Sequence, residues 1–430
     1  MRVPQLSRPE LPGLPGARLR PGALPPAVAG LVVLLGWLSW AGAAFAPPSA
    51  LRIGVSLSVT GPDAQWGIGI HRGVELAVED VNRGGGAGGH RLEVLLLDSA
   101  GSGALGQRVR ANYQQFVADP LVIAVVGPQT SVDGRAVAAL LSRANLATIT
   151  PSSTTFDITD PALRGHFRPG GRAVYFRTVG TDVTQGDAMA RFAHARLRVR
   201  RVILIDDGLP FGMRAVDTFA RRAAALGITV LDRWQLNWIQ ADYREQLRRL
   251  GALGPDAIYA GVRYQVGVKL ARQIPRALPS AKLLGPDTLY NRAFPVQARS
   301  AGAEGWYVSN VAPHPAATAA AAAWAERFRA RFAAAPSSYS LTGYAAVAVI
   351  ADAVTRVVAR GIPVTRANVR DAIEATRLPD ALPGPISFDP DGDLERPAVS
   401  IYQVRSGEFQ HVETVLPAGV KGAPAAEAWR

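Results

Sequence analysis

At 430 residues the chain is too long for one hydrophobic core, and 48% apolar against 19% charged residues indicates a folded protein of two domains or more. With no cysteine in the sequence, disulfide frameworks, thiolate zinc sites, thiol nucleophiles and lipid attachment through cysteine are excluded. The net charge of +13 would suit a nucleic acid only if its cations were clustered; arginine is dispersed and lysine occurs three times, so no nucleic-acid partner is expected.

Arg2, Arg8, Arg18 and Arg20 precede the apolar run "AVAGLVVLLGWLSWAGAAFA", which ends in Ala44-Phe45-Ala46 and prolines. A basic region, an apolar stretch and small residues at the cut predict a cleaved signal peptide over 1–46, with a retained membrane anchor as the alternative. No later segment holds eighteen continuous apolar residues, so the mature chain is expected to be soluble and exported.

From Leu51 short apolar runs alternate with amphipathic ones. "LRIGVSLSV" reads as a strand, and "GIGIHRGVELAVEDVN" places Ile70, Val74, Ala77, Val78 and Val81 on one helical face. "RLEVLLLD", "LVIAVVG" and "LATIT" read as strands separated by helices over 105–117 and 132–143. The alternation restarts with "AVYFRTVG", a helix over 182–195, "RVILIDD", a helix over 211–226, "ITVLDRWQL", a helix near 242–250, "DAIYAG", a helix from Gln265 and "AKLLG". Two long helices follow, around 316–332 and 341–360, then a shorter one after Thr365 and the strands "GPISFD" and "VSIYQV". Continuous apolar strands between helices give α/β halves with doubly wound parallel sheets, which bind ligands at the carboxyl ends of their strands. The expected division is one lobe over 51–178 and 312–385, a second over 179–311 and 386–415, and a tail over 416–430.

The candidate chemistry narrows by elimination. There is no G-x-S-x-G elbow in the mature chain, no phosphate-binding P-loop, and the six histidines are scattered. Gly67, Gly69 and Gly73 miss the dinucleotide fingerprint by one residue and read as helix spacing. "FDPDGDLE" has its glycine two positions early for a calcium loop and reads as a turn between strands. Polar strand ends remain: "VVGPQTSVDG" runs into a helix whose first N–H groups, around Thr130, Ser131 and Val132, suit a carboxylate. "ITPSSTT" adds Ser152, Ser153, Thr154 and Thr155 at the neighbouring strand end. Helix capping and turn formation would use the same residues, and the residues alone leave both readings open.

The run "IGVSLSVTGPDAQWGIGIHRGVELAVEDVNRGGGAGGHRLEVLLLD" closely resembles the opening of the branched-chain amino-acid (leucine/isoleucine/valine) binding proteins of ABC importers. "VVGPQTS", "ITPSSTTFDIT", "ILIDDGLPFG", "AIYAGVRYQVG", "LLGPDTLYN", "GYAAVAVIADAV" and "GPISFDPDGDL" follow in that family's order, so the resemblance spans 51–415. It implies the type I periplasmic binding fold, two lobes joined by a three-strand hinge and closing on a ligand. It further implies a monomeric periplasmic receptor without catalytic residues, metal or cofactor, whose partners are an amino acid or related small polar metabolite and the membrane subunits of an ABC permease. A ligand sensor of the same fold acting through a protein partner, or a hydrolase, are the alternatives.

Carried over residue by residue, Trp66 covers the ligand, Ser131 binds the α-carboxylate, and Ser153 and Thr154 hold the head group. Phe211 closes the cleft from the second lobe and Asp287 receives the α-ammonium. Around "GVRYQVG", at the cleft mouth, the family usually shows an aromatic residue where Val262 or Arg263 stands, with Tyr264 just after. Arginine there implies an additional anionic group on the ligand and turns the expectation away from leucine, isoleucine and valine.

Overall fold

The continuous apolar runs have become strands with both faces covered. The structure, a computed structural model, describes residues 50–61, 63–100, 106–298 and 302–415; the expected signal peptide and the tail from 416 lie outside them. β1 (Leu51–Leu57), β2 (Leu92–Asp98), β3 (Val122–Val126), β4 (Thr148–Thr150) and β5 (Tyr175–Arg177) form one sheet in the order β2-β1-β3-β4-β5, parallel throughout. The helices between them are α1 (Ala64–Arg83), α2 (Gln107–Ala118), α3 (Ser131–Ala144) and the single turn α4 (Arg164–Phe167). β1 lies between β2 and β3, so the winding reverses there and opens a crevice beyond the strand ends.

α1 buries Ile70, Val74, Ala77 and Val78, the predicted face, with Val81 packed at its edge. Its glycines are packing glycines: a methyl on Gly67 would lie 1.9 Å from the Ser58 carbonyl oxygen, and one on Gly73 2.0 Å from that of Ser340. The near-fingerprint therefore records how closely this helix lies against the end of β1 and its neighbouring helix.

The second sheet has the order β14-β13-β10-β9-β8-β6-β7. It is built from β6 (Arg201–Asp206), β7 (Thr229–Gln235), β8 (Ala257–Gly261), β9 (Lys282–Gly285), β10 (Tyr307–Asn310), β13 (Val399–Arg405) and β14 (Glu408–Val415). α5 (Asp182–Ala195), α6 (Pro210–Ala225), α7 (Arg244–Gly251), α8 (Tyr264–Ala277) and the short α9 (Ala293–Gln297) belong with it. β13 and β14 pair antiparallel at one edge. β14 was not foreseen because "EFQHVETV" alternates polar and apolar residues on a half-exposed edge strand instead of forming an apolar run.

α10 (Ala319–Phe332), α11 (Ser338–Ala359) and α12 (Arg366–Glu374) return to the first sheet, where α11 packs along α1. α11 is long and apolar enough by composition to cross a membrane, but 67% of its apolar window is buried in the protein, so it serves as a core helix. β11 (Arg377–Leu378) and β12 (Ile386–Ser387) form a small ladder, and Ile386 and Phe388 pack in the core of the first sheet. The chain rejoins the second sheet only at Val399.

Three segments therefore cross between the sheets, at 178–181, 311–318 and 395–398. They meet at Gly180, whose N–H donates to the Val311 carbonyl (2.9 Å) and where a methyl would lie 3.3 Å from Pro397 Cβ. This is the three-strand hinge of a type I periplasmic binding fold. The "FDPDGDLE" segment is a turn: Asp389 Oδ1 accepts the N–H groups of Asp391 and Asp393, while Asp391 and Asp393 pair with Arg164, Arg168 and Arg177. No cluster of metal-ligating side chains occurs among the described residues.

Candidate functional site

A cavity of about 320 Å³ lies at the strand ends, with both lobes in its wall. The first lobe contributes Asp63 and Trp66 from the start of α1, Gln129, Thr130 and Ser131 from the β3–α3 loop, and Ser152 and Thr154 from the loop after β4. The second contributes Phe211 from the first turn of α6, and Asp287, Thr288 and Tyr290 following β9. Asn310 at the end of β10 and Tyr339 at the start of α11 close the hinge side.

The β3–α3 loop is fixed before any ligand arrives. Thr130 caps α3, its hydroxyl accepting the Asp133 N–H at 3.2 Å. The Gln129 amide accepts from the Ser58 N–H (2.9 Å) and donates to the Asp63 carbonyl (3.2 Å), tying the ends of β1 and β3 to the start of α1. The positive end of a fourteen-residue helix thus meets the cavity at Ser131, a favourable place for negative charge.

The hydroxyl cluster divides its labour. Ser152 Oγ donates to the Gln129 carbonyl at 2.8 Å, and Thr155 Oγ1 donates to Asp157 at 2.7 Å while accepting from Arg135. Ser153 is fully buried behind the wall, its Oγ 3.5 Å from that of Ser131. Thr154 is the member whose side chain lines the cavity without a hydrogen bond given to it by the described residues. Beneath the loop, the Arg177 guanidinium, with no exposed surface, donates to the carbonyls of Ser153 (2.7 Å) and Thr155 (2.6 Å), to Thr159 Oγ1 and to Asp393. Its charge is paired and its donors occupied, so it sets the loop's shape from below.

Asp287 opens to the cavity and is enclosed elsewhere. Its N–H donates to Gln185 Oε1 (2.9 Å), which also accepts from Ser309 Oγ (3.0 Å), and the Tyr339 hydroxyl faces the carboxylate as a donor. Burial pushes its carboxyl up to about 6, with Asp182 adding to the push against hydrogen bonds from Gln185, the Thr288 N–H and Tyr339. A cation entering here would favour the ionised form.

Of the residues expected from the sequence, Trp66, Ser131, Thr154, Phe211 and Asp287 come together in the wall. Ser153 stands one layer behind. Arg263 does not reach the cavity: its N–H and Nε donate to Asp207 Oδ2 (2.9 and 3.2 Å), and its guanidinium lies 4.4 Å from the centre of the Trp238 ring. With its charge engaged by Asp207, Arg263 offers no cation in the cavity for an extra anionic group on the ligand. Tyr264 begins α8 and packs against the core of the second lobe. Of the other wall residues, Asp63, Gln129, Thr288 and Tyr290 lie within the motifs quoted from the sequence without being singled out there, and Asn310 and Tyr339 lie outside them. Tyr339 carries no local signal, since the hinge alone brings α11 to the cleft.

Two doubly wound lobes, a three-strand hinge and a cavity walled by both are the architecture of a binding protein that holds its ligand between domains. Residues 50–408 match the family described as periplasmic binding protein, and the chain belongs to that family. It is 27% identical over 375 residues to the Leu/Ile/Val-binding protein BraC3 of Rhizobium johnstonii, covering 86% of this chain and 96% of that one. Its fold is similar to that of the branched-chain amino-acid binding protein LivJ of Streptococcus pneumoniae in complex with isoleucine (TM-score 0.68, 22% identity, 86% and 100% of the two chains). It is also similar to a solute binding protein of an ABC transporter from R. palustris in complex with benzoate (TM-score 0.64, 19% identity, 86% and 97%).

Proposed function

We propose that this chain is the periplasmic solute receptor of an ABC importer, binding an amino acid or a related amine in the interlobe cavity and delivering it to the permease's membrane subunits. The observation that carries this reading is the pairing, across one cavity, of an enclosed carboxylate at Asp287 with the N-terminus of α3 at Ser131. A zwitterionic head group needs both: N–H and hydroxyl donors at Ser131 and Thr154 for its carboxylate, and Asp287 with Tyr339 for its ammonium. Trp66, Phe211 and Tyr290 supply apolar surface for the rest of the ligand. The protein acts as a monomer, released into the periplasm by cleavage near Pro47, and consumes nothing it binds. The lobes we assign are 51–178 with 312–394, and 179–311 with 399–415.

Because the contacts come from both lobes, only a closed arrangement makes all of them, and saturating ligand should draw an open population into that state. Small-angle scattering should show a smaller radius of gyration with ligand at unchanged molecular mass. Binding without any change of radius would contradict closure, and turnover of the bound compound would contradict the receptor reading.

A further inference from the structure

The charge lining the cavity is one-sided. Asp63 and Asp287 both face it, and among the described residues no lysine, arginine or histidine is in its wall. Three arginines near the strand ends are committed elsewhere, Arg177 to Asp393 and the loop carbonyls, Arg214 to Asp182 and the Phe156 ring, and Arg263 to Asp207 and Trp238, while Arg292, beyond Tyr290, is exposed and outside the wall. Asp287 has Gln185 and Tyr339 against it, as befits a seat for one ammonium. Asp63 differs. It stands at the N-cap position of α1, where an aspartate ordinarily accepts an N–H of the first turn, yet its side chain makes no capping bond. Its backbone carbonyl carries the local contacts, accepting from Trp66, Gly67 and Gln129. Among the described residues its carboxylate has no ion pair, and it lines the cavity together with Trp66, three residues on along the same helix and hence its neighbour on the helix surface.

A carboxylate beside an indole is a seat for a cation, since the first supplies charge and the second the ring face that attracts ammonium and guanidinium groups most strongly. We propose that the cavity selects a ligand with two cationic nitrogens, one at Asp287 and the second between Asp63 and Trp66. The inference rests on the receptor reading above and assigns its ligand class: a basic amino acid or a diamine, which share this chemistry. An anionic side chain would meet Asp63 with no compensating cation in the wall.

The test is calorimetric titration of the mature chain and its Asp63→Asn variant with L-arginine, L-lysine, agmatine, putrescine, L-leucine and L-glutamate. Asparagine is as good as aspartate at an N-cap position, so the variant should fold. The wild type should bind a dication at least about tenfold tighter than leucine, and Asp63→Asn should lose about tenfold or more for the dication while keeping its affinity for leucine. Arginine or lysine without the diamines assigns a basic amino acid; the diamines alone assign a polyamine. Leucine tighter than every dication, or a dication affinity that Asp63→Asn leaves unchanged, would overturn the proposal while leaving the amino-acid receptor intact. If nothing in the series binds, both fall together.

Discussion

Replacing Asp287 by asparagine is expected to weaken ligand binding by about 2–5 kcal/mol, the cost of removing one partner of an enclosed charge pair. The same change should make the unliganded protein more stable at neutral pH. The Asp287 carboxyl is pushed from the ordinary aspartate range up to about 6, so folding favours its protonated form. Its stabilising contribution is complete below the unfolded-state value and is lost as pH rises through about 6. At pH 7 the wild type carries that penalty until a ligand cation offsets it, and asparagine never carries it. Binding has the opposite sign: the ammonium pairs with the ionised form, so affinity should fall as pH drops below about 6 in the wild type and stay flat through that range in Asp287→Asn. Titrations at several pH values with thermal melts of the unliganded proteins check all of this. If Asp287 merely supported its own turn, affinity would survive and stability would fall.

Arg177→Met should be among the most destabilising single changes in the first lobe, costing about 3–5 kcal/mol. Methionine fills much of the space but leaves Asp393 without its ion pair and strips the donors from the Ser153 and Thr155 carbonyls. The damage should spread to binding, because the loop that Arg177 holds also carries Thr154 and, through the Thr154 carbonyl, accepts the Asp182 N–H at the start of α5 (2.8 Å). Urea denaturation should show the lowered midpoint. Adding Asp393→Asn should recover part of the loss, since it removes the stranded charge. An unchanged midpoint in Arg177→Met would mean that the loop holds its shape without the guanidinium.

The parts of this molecule legible in its sequence are those that depend on local pattern. The buried face of α1 follows from 3.6-residue spacing, and the parallel strands of the first sheet from runs such as "LVIAVVG" that cannot face water on either side. The cleft residues Trp66, Ser131, Thr154, Phe211 and Asp287 followed from family resemblance laid over those strand ends. What escaped depends on tertiary placement. In "ITPSSTT" nothing local separates Thr154, which faces the cavity, from Ser153, which is buried behind it; Arg177 on the next strand decides that. Arg263 looked like a cleft-mouth cation because the Asp207 that engages it is 56 residues away. Tyr339 enters the site from a helix of the returning chain. The hydroxyl cluster, which suggested a cradle made of side chains, is mostly a device for holding backbone in place.

The most direct measurement is a crystal structure of the protein with the small molecule that co-purifies with it, identified by mass spectrometry after denaturation. The ligand should lie in the cavity between the lobes, with a cationic nitrogen within hydrogen-bond distance of the Asp287 carboxylate and any carboxylate it carries toward Ser131 and Thr154. A ligand bound elsewhere, or one that presents no cationic nitrogen to Asp287, would contradict the account.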